Sequence, residues 1–150
     1  MNTNNGIKLM DFGSQNYLEM VDLRREVLRI PLGLDFSEED LKKDIKSKLL
    51  GYYNTKNELL GCCVVDIDEE NTSLRVRQMA VSPLFQSQGI GKELMLFVER
   101  IAEDVKINRI YLHARKIAVG FYEKSGYSVC SDEFMEVNIP HFEMEKRLIL

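Results

Sequence analysis

The run from Met79 to Val105, MAVSPLFQSQGIGKELMLFVERIAEDV, constrains the fold more than any other part of the chain. An apolar stretch of strand character meets a proline, then Gly89 and Gly91, and then a helical pattern. Ile90, Leu94, Val98, Ile101, Ala102 and Val105 recur along one stripe of that helix, with Lys92, Glu93, Glu99 and Arg100 largely off it. Strand, glycine turn and amphipathic helix in direct succession require helices layered on a sheet. The same succession leaves unsatisfied amides at the partly positive start of a helix. With no Cβ on either glycine, a bulky anion can approach those amides, and Lys92 adds charge nearby.

Two familiar phosphate loops do not fit. A P-loop needs a glycine five residues before the Gly-Lys pair and a hydroxyl after it, but Gln86 and Glu93 hold those places. A dinucleotide fingerprint needs a third glycine where Leu94 stands in the apolar stripe.

The remaining sequence supplies the other layers. GIKLMDF reads as a short first strand, and Ser14 caps a helix whose apolar face is Tyr17, Met20, Val21, Val27 and Leu28 and whose other face is rich in arginine. PLGLDF ends that helix, and Ser37 with Asp40 forms a capping box for a second, short one. KLLGYYN, LLGCCVVDI and SLRVRQMAV follow as a meander of three strands before the long helix. RIYLHA is then a buried strand, AVGFYEKSG a helix stopped by Gly126, and YSVC and HFEMEKRLI the final strands, with Pro140 placing the last on an edge. The order is β-α-α-β-β-β-α-β-α-β-β: an α/β (α+β) fold with a mixed, mostly antiparallel central sheet flanked by helices, expected as one domain over 1–150. In SLRVRQMAV, Leu74 and Val76 share one face while Met79 and Val81 fall on the opposite parity. A β-bulge near Arg77 and Gln78 accounts for the slip, and so does a strand buried on both faces.

With 150 residues and 45% hydrophobic content the chain has material for a full core. A net charge of -4 argues against a nucleic-acid binder, which needs clustered Lys and Arg. No stretch approaches the ~20 apolar residues of a membrane span, so no membrane partner is expected and the protein is expected to be cytoplasmic. Cys62, Cys63 and Cys130 have no ligand-like spacing, so no metal is expected, and they read as reduced core residues.

Gln86-Ser87-Gln88-Gly89-Ile90-Gly91 resembles the Q/R-x-x-G-x-G/A signature of the GNAT N-acetyltransferase family, and RQMAVSP and FYEKSGY resemble its neighbouring motifs at the family's separation. The resemblance is strong over the C-terminal half, and the element order of the whole chain agrees with it. It implies that amides of Gln86, Ser87, Gln88, Gly89, Ile90, Gly91 and Lys92 bind the pyrophosphate of acetyl coenzyme A. It favours the bulge, implies that main chain at Met79, Ala80 and Val81 reaches the thioester oxygen, and makes Tyr122 the acid that protonates the departing thiolate. Arg115 stands where many relatives carry asparagine, which puts one coenzyme contact in doubt.

Acetyl transfer to an amine also needs a base. His113 and His141 have the right chemistry, as do Asp66, Asp68 or a water chain. Arg24 and Arg25 on the first helix can meet an acidic group of a substrate or simply be solvated. The expected activity is direct N-acetyl transfer from acetyl coenzyme A to a primary amine acceptor. A non-catalytic acyl coenzyme A sensor and an interaction subunit with a vestigial site are the alternatives. Domains of this kind commonly form homodimers, and the sequence fixes no interface.

Overall fold

The caps and the proline act where the sequence puts them. In the computed structural model, which describes residues 6–150, strand β1 (Ile7–Met10) leads to helix α1 (Gln15–Arg24), whose Tyr17 amide donates to Ser14 Oγ at 3.1 Å. Helix α2 (Glu38–Lys42) opens on a complete capping box, with Asp40 N on Ser37 Oγ at 3.1 Å and Ser37 N on Asp40 Oδ2 at 2.9 Å. The architecture is mixed α/β, with a mostly antiparallel sheet and flanking helices. By their contacts the residues fall into two compact units, each built from separate stretches: one up to Asp66 plus Gln78–Phe97, the other Ile67–Arg77 plus Val98–Leu150.

In the first unit β1 pairs antiparallel with β2 (Lys48–Tyr53), and β2 with β3 (Leu59–Asp68). Tyr17, Met20, Val21 and Leu23 of α1 pack on Leu49, Cys62, Val64 and Ala80 to form its core. Helix α1 is shorter than its apolar periodicity indicates. After Arg24 the chain widens into a π turn (Arg25–Arg29) and tightens into a 3-10 turn (Ile30–Leu32) that closes on left-handed Gly33. Pro31, which lacks an amide, prevents the α-helix from continuing.

The arginine-rich face needs correcting. Arg24 lies seven residues after Tyr17, two helical turns on, so it falls on the same stripe and is buried. Its Nη1 donates to Asp44 Oδ2 at 2.8 Å, and the Tyr17 hydroxyl donates to the same oxygen at 2.7 Å. Burial, then the neighbouring Asp44 carboxylate, raises the Tyr17 phenol well above its ordinary pKa.

In the second unit the first half of β4 (Ser73–Val81) runs parallel to β5 (Arg109–Arg115), and β5 pairs antiparallel along its length with β8 (Ile139–Arg147). The short strands β6 (Ser128–Val129) and β7 (Phe134–Glu136) both pair with β8. Strand β7 was not expected. It is three residues long, and the turn that follows is made by left-handed Val137 and Asn138 rather than by a glycine. Its presence moves His141 off an edge, since His141 lies between Arg115 of β5 and Phe134 of β7.

Helix α3 (Ile90–Asp104) buries Ile90, Leu94, Met95, Val98 and Ala102, while Val105 just beyond it is exposed. Glu99, placed off the stripe by its charge, is buried as well. Cys62 and Cys63 are free thiols in the core, whereas Cys130 is free and exposed rather than a core residue. No helix among the described residues is long and apolar enough to cross a membrane.

Candidate active site

Strand β4 breaks its own alternation where parity slips. Gln78 takes φ +56, a left-handed backbone that a side chain ordinarily avoids, in the middle of the strand. Such a residue rotates the following peptides relative to the strand before it, the effect that a bulge has. Met79 and Val81 come after the break half-buried, and Ala80 is buried against Cys62 and α1.

From β4 the chain passes through a 3-10 turn (Pro83–Phe85) into the glycine loop. Ser87 (φ +66) and Gly89 (φ +83) are both left-handed, the kind of backbone that lets amides converge on an anion. Among the described residues a Cβ on Gly89 would meet nothing within 4 Å, so the space beside that glycine is open. The first amide of α3 with an acceptor inside the helix is that of Glu93, on Gly89 O at 3.0 Å, so those of Ile90, Gly91 and Lys92 ahead of it have no intrahelical carbonyl to bond. The Gln86 side chain acts differently. Its Nε2 donates to Val81 O at 3.1 Å and fastens the loop to the end of β4. Lys92 is exposed beside the helix start.

Gly61 of β3 is a residue that the sequence reading passed over. An added Cβ would stand 2.7 Å from Ile90 Cγ2 and 3.4 Å from Ala80 O, so its absence lets the first turn of α3 seat directly on the strand. A glycine inside a strand was the available signal.

The second unit holds Tyr122 and both histidines. Tyr122 is buried in helix α4 (Val119–Glu123), with its ring edge-on to Phe121 at 4.9 Å and to Tyr127 at 6.2 Å. The two histidines come together on the β5, β7 and β8 strands. His113 Nδ1 lies 2.9 Å from Glu136 Oε1 and 3.2 Å from Arg75 Nη2, and Nε2 lies 3.4 Å from Glu143 Oε1. A carboxylate can only accept, so Glu136 favours the proton on Nδ1 while Glu143 favours it on Nε2. His141 is more enclosed: Nδ1 donates to Ile139 O at 2.9 Å, and Nε2 lies 3.7 Å from Glu136 Oε2. Phe134 stacks on His141 and meets His113 edge-on.

Other sequence candidates are already occupied by protein partners. Asp66 accepts from the Ser47 hydroxyl, and Asp68 caps the Asn71 amide in the β3–β4 turn. Arg25 binds Asp35 at 2.6 Å and Asp22 at 2.7 Å. Burial pushes the Cys62 thiol up to about 12 and raises Cys63 too, while Cys130 is raised by burial and then by Glu143. No activated thiol results. Among the described residues no three His, Cys, Asp or Glu side chains converge as metal ligands would.

Comparison with known proteins decides the family. Residues 32–148 match the model of the acetyltransferase (GNAT) domain. A provisionally named acetyltransferase of Bacillus subtilis is 32% identical over 117 residues, 78% of this chain and 77% of the relative. The chain belongs to the GNAT acetyltransferase family. It is accordingly an acyltransferase. Solved structures show the same fold at low identity. An acyl-CoA N-acyltransferase from Pseudomonas aeruginosa superposes with a TM-score of 0.78 at 20% identity, covering 93% of this chain and 97% of that one. An aminoglycoside 6'-N-acetyltransferase complexed with coenzyme A gives 0.76 at 18% identity, covering 96% and 97%. Within the GNAT frame, the left-handed Gln78 and the glycine loop lie in RQMAVSP and in the signature segment, two of the three motifs that carried the resemblance.

Proposed function

We propose that this GNAT protein transfers an acetyl group from acetyl coenzyme A directly to a primary amine. The observation that carries the reading is the start of α3, where the amides of Ile90, Gly91 and Lys92 have no carbonyl within the helix, beside a left-handed glycine whose missing side chain leaves open space. A diphosphate supplies the acceptors that those amides lack within the helix. The coenzyme A bound to one fold neighbour supports the same assignment.

The donor supplies the acetyl group as an activated thioester. The chain's own groups hold it and move protons. The loop amides and Lys92 neutralise the diphosphate, and main chain from Met79 to Val81, turned by Gln78, offers an amide to the thioester carbonyl as charge develops on its oxygen. Tyr122 donates the proton that the departing thiolate needs. With Cys62 and Cys63 buried in the core and the exposed Cys130 thiol raised by burial and then by Glu143, no activated thiol is at hand to take the acyl group, which favours direct transfer.

His113, rather than His141, is the base. The Glu136 carboxylate on Nδ1 orients its ring, and its side chain is 23% exposed against 5% for His141, so it is the more accessible of the two to an amine. His113→Gln is expected to lower turnover about tenfold or more with the KM for acetyl coenzyme A unchanged. A turnover within about twofold of wild type would assign the proton transfer elsewhere.

Calorimetric titration with coenzyme A, paired with thiol release from acetyl coenzyme A across a panel of primary amines, tests the whole reading. Binding with amine-dependent thiol release is expected. Saturable binding without release for any amine would make the protein a sensor. Absence of binding would overturn the loop assignment itself.

A further inference from the structure

By charge Glu99 belongs on the solvent side of α3, yet it is only 9% exposed. A carboxylate is not desolvated without compensation, and its partners explain why it is there. Glu99 Oε1 accepts from Lys146 Nζ at 3.1 Å, and Oε2 accepts from the Tyr127 hydroxyl at 3.2 Å. The same Lys146 ammonium donates to Ser125 O at 2.9 Å and lies 5.7 Å from the centre of the Tyr127 ring. Gly126, left-handed at φ +92, leaves room for this lysine, because a Cβ there would stand 3.3 Å from Lys146 Cε.

The gripped segment is the one that ends the tyrosine helix. Tyr122 O accepts from Ser125 N at 3.0 Å and from Tyr127 N at 3.2 Å. Glu99 and Lys146 therefore hold Ser125 and Tyr127, two residues whose amides donate to the Tyr122 carbonyl. We infer that the Glu99–Lys146 pair is a positioning device for Tyr122, setting where its phenol stands during proton donation. The inference rests on the reading of Tyr122 as the acid. A hydrogen-bonded ion pair suits the task because its geometry is directional, whereas an apolar contact in the same place would let the turn slide.

Proton transfer is steep in distance, and a misplacement of about 1 Å costs up to about 100-fold in rate. Glu99→Gln keeps the shape and removes the charge. It is expected to lower kcat about tenfold with the KM for acetyl coenzyme A unchanged, and Lys146→Met to act in the same direction. Tyr127→Phe, which loses one hydroxyl and keeps the ring, is expected to lower kcat about threefold and remains informative if a charge variant does not fold. The decisive measurement is the double variant. In a Tyr122→Phe background Glu99→Gln is expected to cost nothing further, because the pair acts only through that phenol. A wild-type kcat in folded Glu99→Gln, or a loss that adds fully to that of Tyr122→Phe, overturns the positioning role and leaves the acid reading intact. An unchanged kcat in Tyr122→Phe alone overturns the acid reading whatever the other variants do.

Discussion

Tyr122→Phe is expected to lower kcat by about 100-fold or more while leaving the KM for acetyl coenzyme A within about twofold, because a general acid contributes to the transition state and not to ground-state binding. The substitution removes one oxygen from a buried ring that packs edge-on to Phe121 and Tyr127, so the phenyl group fills the same space. A tyrosine is suited to the role because a phenol with an ordinary pKa near 10 carries its proton at neutral pH and yields it to a thiolate as one forms. Stopped-flow thiol release separates this step from product dissociation. A kcat that stays within about twofold of wild type would remove Tyr122 from the chemistry.

Asp44→Asn is expected to destabilise the fold by about 3–5 kcal/mol, the cost of leaving a buried charge without its counter-ion. Arg24 and Asp44 are 1% and 0% exposed, and Arg24 Nε has no hydrogen-bond partner, so the lost carboxylate charge is not replaced from the arginine's other side. Tyr17→Phe, which deletes a single hydroxyl from the same oxygen, is expected to cost only about 1 kcal/mol. Urea denaturation read by tyrosine fluorescence compares the two. A loss below about 1 kcal/mol for Asp44→Asn would mean that water reaches the pair on the folded protein's own timescale. The strength of this cluster bears on function, because it anchors the end of α1 from which the π turn and the Ile30–Phe36 segment lead off.

What the sequence made legible was local. Caps at Ser14 and Ser37, the glycine loop and the parity slip before Met79 each depend on residues within a few positions, and local geometry obeyed them. Arg24 and Glu99 were misplaced for the opposite reason. Each is a charge on an apolar stripe, and the partner that permits its burial lies 20 residues away for Arg24 and 47 for Glu99. Periodicity reports which face a residue occupies but not whether a distant side chain will compensate its charge. Strand β7 was hidden because three residues give almost no alternation, and because Val137 is not a residue that announces a left-handed turn. The clustering of His113, His141, Glu136 and Glu143 came only from the register of β5, β7 and β8, which a single sequence does not disclose.

The Gln86 tether to Val81 O makes the end of β4 and the glycine loop one stiff span of peptide. On the proposed reading one end of that span meets the carbonyl of the donor and the other its diphosphate, so the protein gauges the length of the donor's arm with a ruler graduated in main-chain atoms. Side chains along such a ruler are free to drift. Neighbours only 18–20% identical keep the same fold.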